Sequence, residues 1–268
     1  MSHTDLPRHW RSAAIINGFK DTFAYKSEFV LEFFASAIVP AAIQLLLWYA
    51  LFKNGNKPDI AGQSYADLIA YTWVSILFSQ VRGGNYDFDL AEMIRNGTLS
   101  QYLLRPVGAV EFVYFRGLSY KLLIASMCLC IGIIASAFTS ITIVRMFGAM
   151  FLAFLGNIIA YQLGAALAAT AFKWEEAYSV LMVKNLVVQF LSGELVPLYF
   201  FPENYSWIWK IFPFHLYVYG PTQYALGKMS HEEFFMNCTQ GIGWVLFCWF
   251  LVHFTWSRGI KNYASIGG

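Results

Sequence analysis

The chain has 268 residues, of which 58% are hydrophobic, 19% aromatic and only 13% charged. Soluble domains carry about 25% charged residues, so too little polar surface exists to cover a water-soluble globule, which excludes a soluble enzyme. A net charge of +2 is too small to point to nucleic acid.

A bilayer core about 30 Å thick takes roughly 20 apolar residues per helix, so six crossings need about 120 residues. The remainder suffices only for connections and interfacial helices. This predicts one all-α, polytopic membrane domain over residues 1–268 with about six transmembrane helices and no room for a nucleotide-binding domain. Cys128, Cys130, Cys238 and Cys248 form no Cys-x-x-Cys pair and have no His at ligand spacing. They read as small buried apolar residues, and neither a metal site nor a catalytic set is expected. Asp5, Pro7 and Arg8 stand where a leader would carry a basic run and an apolar core, so no cleaved signal peptide is expected.

In chain order, residues 8–25 come first. Ala13, Ile16, Phe19 and Phe23 recur every three or four residues, as on a helix lying along a membrane surface, an interfacial elbow. The first span runs from about Phe29 to Phe52, with Pro40 as a kink and Trp48 and Tyr49 at interface depth. The second, Tyr65 to Val81, stops before Arg82, Gly83 and Gly84. In the polar stretch 85–106, Leu90, Met93 and Ile94 fall at helical spacing among Asp87, Asp89, Glu92 and Arg95, which predicts a short amphipathic helix.

The third span begins near Val107, and its charged start with Glu111, Arg116 and Lys121 is expected to project from the bilayer. In the fourth, Met146 to Phe172, Gly156, Ala160, Gly164 and Ala168 form a small-residue ladder suited to the close approach of another helix. The fifth spans Tyr178 to Leu195. Pro197 and Pro202 then break an aromatic segment, and 197–219 reads as a re-entrant or interfacial hairpin that protein must shelter. The sixth runs from Gly241 to Trp256.

Orientation follows from Lys and Arg. With the N-terminus inside, Arg8, Arg11, Lys20, Lys26, Arg82, Arg95, Arg105, Arg116, Lys121, Lys173, Arg258 and Lys261 lie inside. Lys53, Lys57, Arg145, Lys210 and Lys228 lie outside, and Lys184 lies within a span. The bias places both termini and the stretch 85–106 in the cytoplasm.

Lys184, Asn185 and Gln189 on the fifth span are candidates for a substrate path, although a Lys184 snorkelling to the nearby interface is equally open. Tyr71, Trp73 and Phe78 on the second span are candidate contacts for a hydrophobic substrate, against the alternative of packing. Ser192 and Glu194, farther out on the fifth span, could line the substrate path too, with a place at the outer boundary equally open for Glu194; His215 and His253 read as solitary interfacial histidines.

Several segments together resemble the ABC-2-type permeases of ATP-binding-cassette exporters, the small six-span kind without a fused ATPase. They are FAYKSEF (Phe23 to Phe29), LLWYALF at the end of the first span, IRNGTLSQYLLRPV (Ile94 to Val107) and IFPFHLYVYGPTQYALG (Ile211 to Gly227). The resemblance implies that 85–106 holds a cytoplasmic coupling helix docking into a separate ATPase subunit, with Glu92, Arg95 and Arg105 as docking charges. It implies that 197–219 closes the outer end of the pathway, and that two permeases, identical or homologous, join two ATPases in a bacterial inner or plasma membrane. ATP and Mg would bind in the partner, and no cofactor is expected in this chain.

A nucleotide loop at Gly220 to Lys228 fails on spacing, since six residues separate its glycines where four are needed. Two alternatives rank lower. A protease-like intramembrane enzyme built on Ser192, or on Glu175 and Glu176, lacks partner residues. A secondary transporter would show matched broken helices in both halves.

Overall fold

The computed structural model describes residues 10–55, 59–84, 86–104, 107–136, 142–174, 176–261 and 263. Arg105, Glu175 and the first two residues of the expected elbow therefore lie outside the described residues. The helices are α1 (Trp10–Ala24), α2 (Lys26–Phe33, a π-helical turn Phe34–Ile38, and Val39–Gly55), α3 (Tyr65–Arg82), α4 (Tyr86–Arg95) and α5 (Leu99–Leu103). They continue with α6 (Ala109–Ser136), α7 (Ile143–Ala168, extended by a 3-10 turn to Phe172), α8 (Ala177–Leu191), α9 (Ser206–Ile211), α10 (Tyr219–Ala225) and α11 (His231–Lys261).

Helical stretches over Lys26–Lys53, Ala109–Ile134, Ile143–Phe172 and His231–Lys261 are long and apolar enough to cross a membrane. Helix α3, with 18 residues, and α8, with 15, occupy the places of the second and fifth expected spans. The fold is all-α and polytopic.

Local sequence explains the ends of these helices. The Ser64 and Asp67 side chains form a reciprocal capping box that starts α3, and the chain leaves the helix at Gly83 and Gly84, the latter with φ +125°. Only glycine takes such a φ without strain. Ser230 and Glu233 form a second reciprocal pair: Ser230 N–H donates to Glu233 Oε2 at 2.9 Å and Glu233 N–H to Ser230 Oγ at 3.2 Å. This cap starts α11 at His231, well before the expected Gly241, because a polar first turn can be helical outside an apolar run.

Pro40 shapes α2 as its covalent structure requires. Proline has no N–H for the Ser36 carbonyl and crowds it. The helix widens over Phe34–Ile38, where Val39 N–H reaches back to Phe34 O. Gln80 of α3 supplies the missing donor, its Nε2 bonding Ser36 O at 3.1 Å while its Oε1 accepts from Ser36 Oγ at 3.0 Å.

Helix α1 packs on the charged start of α6. Ala14 and Gly18 are buried, Arg116 bonds Asp21 at 2.8 Å and Arg11 bonds Glu111 at 3.3 Å. Ile16 and Phe23 are left exposed.

Helix α7 is the central post. Its small-residue ladder does not seat one neighbouring helix as expected; it receives two non-spanning segments. A Cβ on Gly156 would lie 2.6 Å from Leu216 O, and one on Gly164 would lie 2.9 Å from Asp87 Cβ. Gly156 thus accommodates the broken chain between α9 and α10, and Gly164 accommodates α4.

The two ends of the bundle have separate cores. One joins Phe78, Ile124, Met150 and Tyr224 from α3, α6, α7 and α10. The other, at the α4 end, joins Leu90, Ile94, Leu99, Ala165, Leu181 and Trp256.

Between α8 and α11 the chain forms 3-10 turns at Leu198–Phe200, Glu203–Tyr205 and Pro213–Leu216, with α9 and α10 among them. Leu216, Tyr217 and Val218 are completely buried. The carbonyls ending α9 are covered by α11: Gln240 Nε2 donates to Lys210 O at 3.2 Å and Trp244 Nε1 to Ile211 O at 3.0 Å. Irregular backbone in apolar surroundings needs such donors.

Candidate functional site

Helix α4 has two unlike faces. Asp87, Leu90, Ala91 and Ile94 are buried, whereas Asp89, Glu92, Arg95 and Asn96 are exposed. Leu90 and Ile94 fill the core at that end, as an amphipathic pattern requires. Phe88, Ala91, Glu92, Arg95, Asn96 and Tyr178 border a recess of about 430 Å³ on the outward side. Neither Glu92 nor Arg95 has an ion-pair partner among the described residues. Although Asp89 reaches the surface, the protein around its carboxyl partly desolvates it and, together with the nearby Glu92 and Asp87, raises it above its usual pKa, against the opposing pull of Arg116.

The buried side of α4 is held by charge. Asp87 pairs with Lys184 of α8 at 2.5 Å, their side chains 6% and 14% exposed. Arg82, the last residue of α3, pairs with Glu194 at 2.5 Å. Tyr71 donates to Gly193 O at 2.7 Å and Gln44 Nε2 to Glu194 O at 2.8 Å. The chain after α8 therefore turns level with the middle of α3. Glu194 is drawn into the bundle, away from the outer boundary that the sequence leaves open for it.

A narrow polar chamber lies between these pairs, lined by Arg82, Tyr86, Asp87, Lys121, Asn157 and Lys184 among others. Lys121 is expected to project from the bilayer with the start of α6, but it is 1% exposed. Its Nζ lies 3.4 Å from Gln80 O and 5.5 Å from the Tyr86 and Tyr120 ring centres, an aliphatic stem buried with its cation against a carbonyl and two aromatic faces. Asn157 of α7 donates to Val81 O at 2.9 Å and accepts from Tyr114 at 3.2 Å, holding the last turn of α3.

Of the residues chosen from sequence, Lys184 and Asn185 line this chamber, and Gln189 lies half-buried one turn further along α8. Trp73 is 44% exposed, while Phe78 is 1% exposed inside the α3/α6/α7 core and so packs rather than lines an open path in this conformation. Sequence reasoning left Arg82, Asp87 and Lys121 outside the site. The signal available was a cation at Lys184 within an apolar helix, which needs a carboxylate or carbonyl partner. Ser192 is fully buried, its hydroxyl directed to Gln189 O.

These features define an all-α, multi-pass membrane protein whose amphipathic connecting helix is tied to α8 by a buried ion pair. The family model described as ABC-2 family transporter protein matches residues 38–267. The chain belongs to this family, and it is a membrane transport component. No curated protein and no solved structure matches it.

Proposed function

We propose that this chain is the transmembrane subunit of an ATP-driven exporter, and that α4 is the coupling helix receiving force from a separate ATPase subunit. One observation carries the reading: α4 presents outward the charges of Glu92 and Arg95, which have no ion-pair partner among the described residues, while its inner face is tied by Asp87–Lys184 to α8. The α3/α4 junction is also tied, by Arg82–Glu194, to the segment leading into the broken chain. A push on α4 therefore reaches α8 and the segment 197–219 through short, stiff links.

In this reading Glu92, Arg95 and Arg105 engage the ATPase, and both termini lie on its side of the membrane, in the cytoplasm. Lys184, Asn185 and Gln189 lie along the substrate path, with Trp73 at its margin. Two permeases, identical or homologous, complete the assembly, and ATP and Mg belong to the ATPase. Vesicles holding the permease alone should hydrolyse no ATP. With the cognate ATPase, substrate-dependent hydrolysis should appear, and Glu92→Lys with Arg95→Glu should leave hydrolysis running without transport. Normal coupled transport by that double variant would overturn the assignment of α4.

A further inference from the structure

The polar chamber holds more positive charge than its partners cancel. Arg82, Asp87, Lys121 and Lys184 are the charged residues on its wall. Lys184 is paired with Asp87, and Arg82 with Glu194 of the segment after α8. Lys121 forms no ion pair among the described residues. Glu32 of α2 attracts it without pairing with it and is itself exposed. At 1% exposure the Lys121 ammonium has exchanged its water for one carbonyl and two ring faces, which leaves one buried positive charge without a counter-charge.

The hydrogen bonds of the wall point the same way. Tyr86 donates to Gly117 O at 3.0 Å, Tyr114 to Asn157 Oδ1 at 3.2 Å and Asn157 Nδ2 to Val81 O at 2.9 Å, so these donors are spent on the protein itself. An ammonium has three N–H donors and a guanidinium five, and Lys121, Lys184 and Arg82 each bond the protein through only one nitrogen. Asn185 of α8, half-buried on the wall, makes no hydrogen bond among the described residues, and its amide keeps accessible surface. The spare capacity of the wall is thus mainly N–H donors on or beside cations, which suits an anion.

The chamber measures about 40 Å³. One water needs about 10–15 Å³ of such space, so a chloride-sized ion with a water or two fits, while a phosphate headgroup or an organic substrate does not. We infer that the chamber binds one small monovalent anion of the halide class, with Lys121 as its counter-charge and Asn185 among its hydrogen-bond donors. The ion sits where α3, α4, α6 and α8 meet, and it neutralises the junction that the two ion pairs hold. This goes beyond the exporter reading and does not require it.

The test uses the permease alone in phosphatidylcholine nanodiscs, with sodium chloride as the probe and sodium gluconate, whose anion is too large for the chamber, holding the ionic strength constant. A ligand that binds only the folded state raises the unfolding temperature once its concentration passes Kd. Chloride, or bromide in its place, should therefore raise that temperature by a further increment with each tenfold increase. Lys121→Met should abolish the rise. Asn185→Leu, which leaves every charge in place, should move its onset to about tenfold higher chloride, the factor of one hydrogen bond to an ion; it decides the matter if Lys121→Met does not fold. Lys20→Met, at an exposed position of α1, should respond as the parent does. No chloride response in the parent, an onset unmoved by either chamber variant, or a response lost in Lys20→Met would each overturn the inference.

Discussion

A lysine ammonium in an apolar helix is held only by a partner that replaces its water. Lys184 has Asp87, and both side chains are largely buried. Removing one member strands the other charge, which in buried pairs costs about 3–5 kcal/mol, whereas replacing both with apolar groups of similar size is close to neutral. Lys184→Met should therefore lower the thermal unfolding temperature markedly in detergent. Adding Asp87→Leu to it should restore most of the loss, yet under the proposed mechanism the stable double variant should transport poorly, because α4 then lacks its polar tie to α8. Thermal unfolding of the three proteins beside transport assays separates these effects.

At the scale of elements, α2 and α3 share one backbone problem. The Ser36 carbonyl has no proline N–H to accept from, and Gln80 fills the vacancy. Gln80→Leu should cost about 1–3 kcal/mol through that orphaned carbonyl. Pro40→Ala, which returns an N–H to the helix, should rescue Gln80→Leu while changing the parent much less. A double-mutant cycle by chemical or thermal denaturation measures this coupling, and strictly additive effects would refute it. The kink at Pro40 is legible in the sequence from covalent geometry alone. Its partner is not, since Gln80 lies 44 positions away and nothing local marks it.

At the scale of the whole molecule, the orientation proposed from Lys and Arg counts makes a direct prediction. A cysteine introduced at Glu92, in a background with Cys128, Cys130, Cys238 and Cys248 replaced by Ala, should react with a membrane-impermeant maleimide in inverted vesicles and not in intact cells. One placed at Glu203 should be labelled from the opposite side. Reversal of both patterns would invert the topology while leaving the fold intact.

The sequence by itself determined the membrane setting, the positions of the apolar helices, the breaks at Gly83 and Pro197, and the two-faced nature of α4. Hydropathy and helical period accumulate along the chain, and bilayer thickness fixes the length they must reach. Tertiary structure alone decided where the charges end. Lys184 and Asp87 are 97 positions apart and Arg82 and Glu194 are 112 apart, so no local pattern pairs them. It also decided that the ladder on α7 would receive α4 and the broken segment, because a stripe of small residues specifies close approach without specifying what approaches. The early start of α11 depended on a side-chain cap outside the apolar run, which hydropathy does not register.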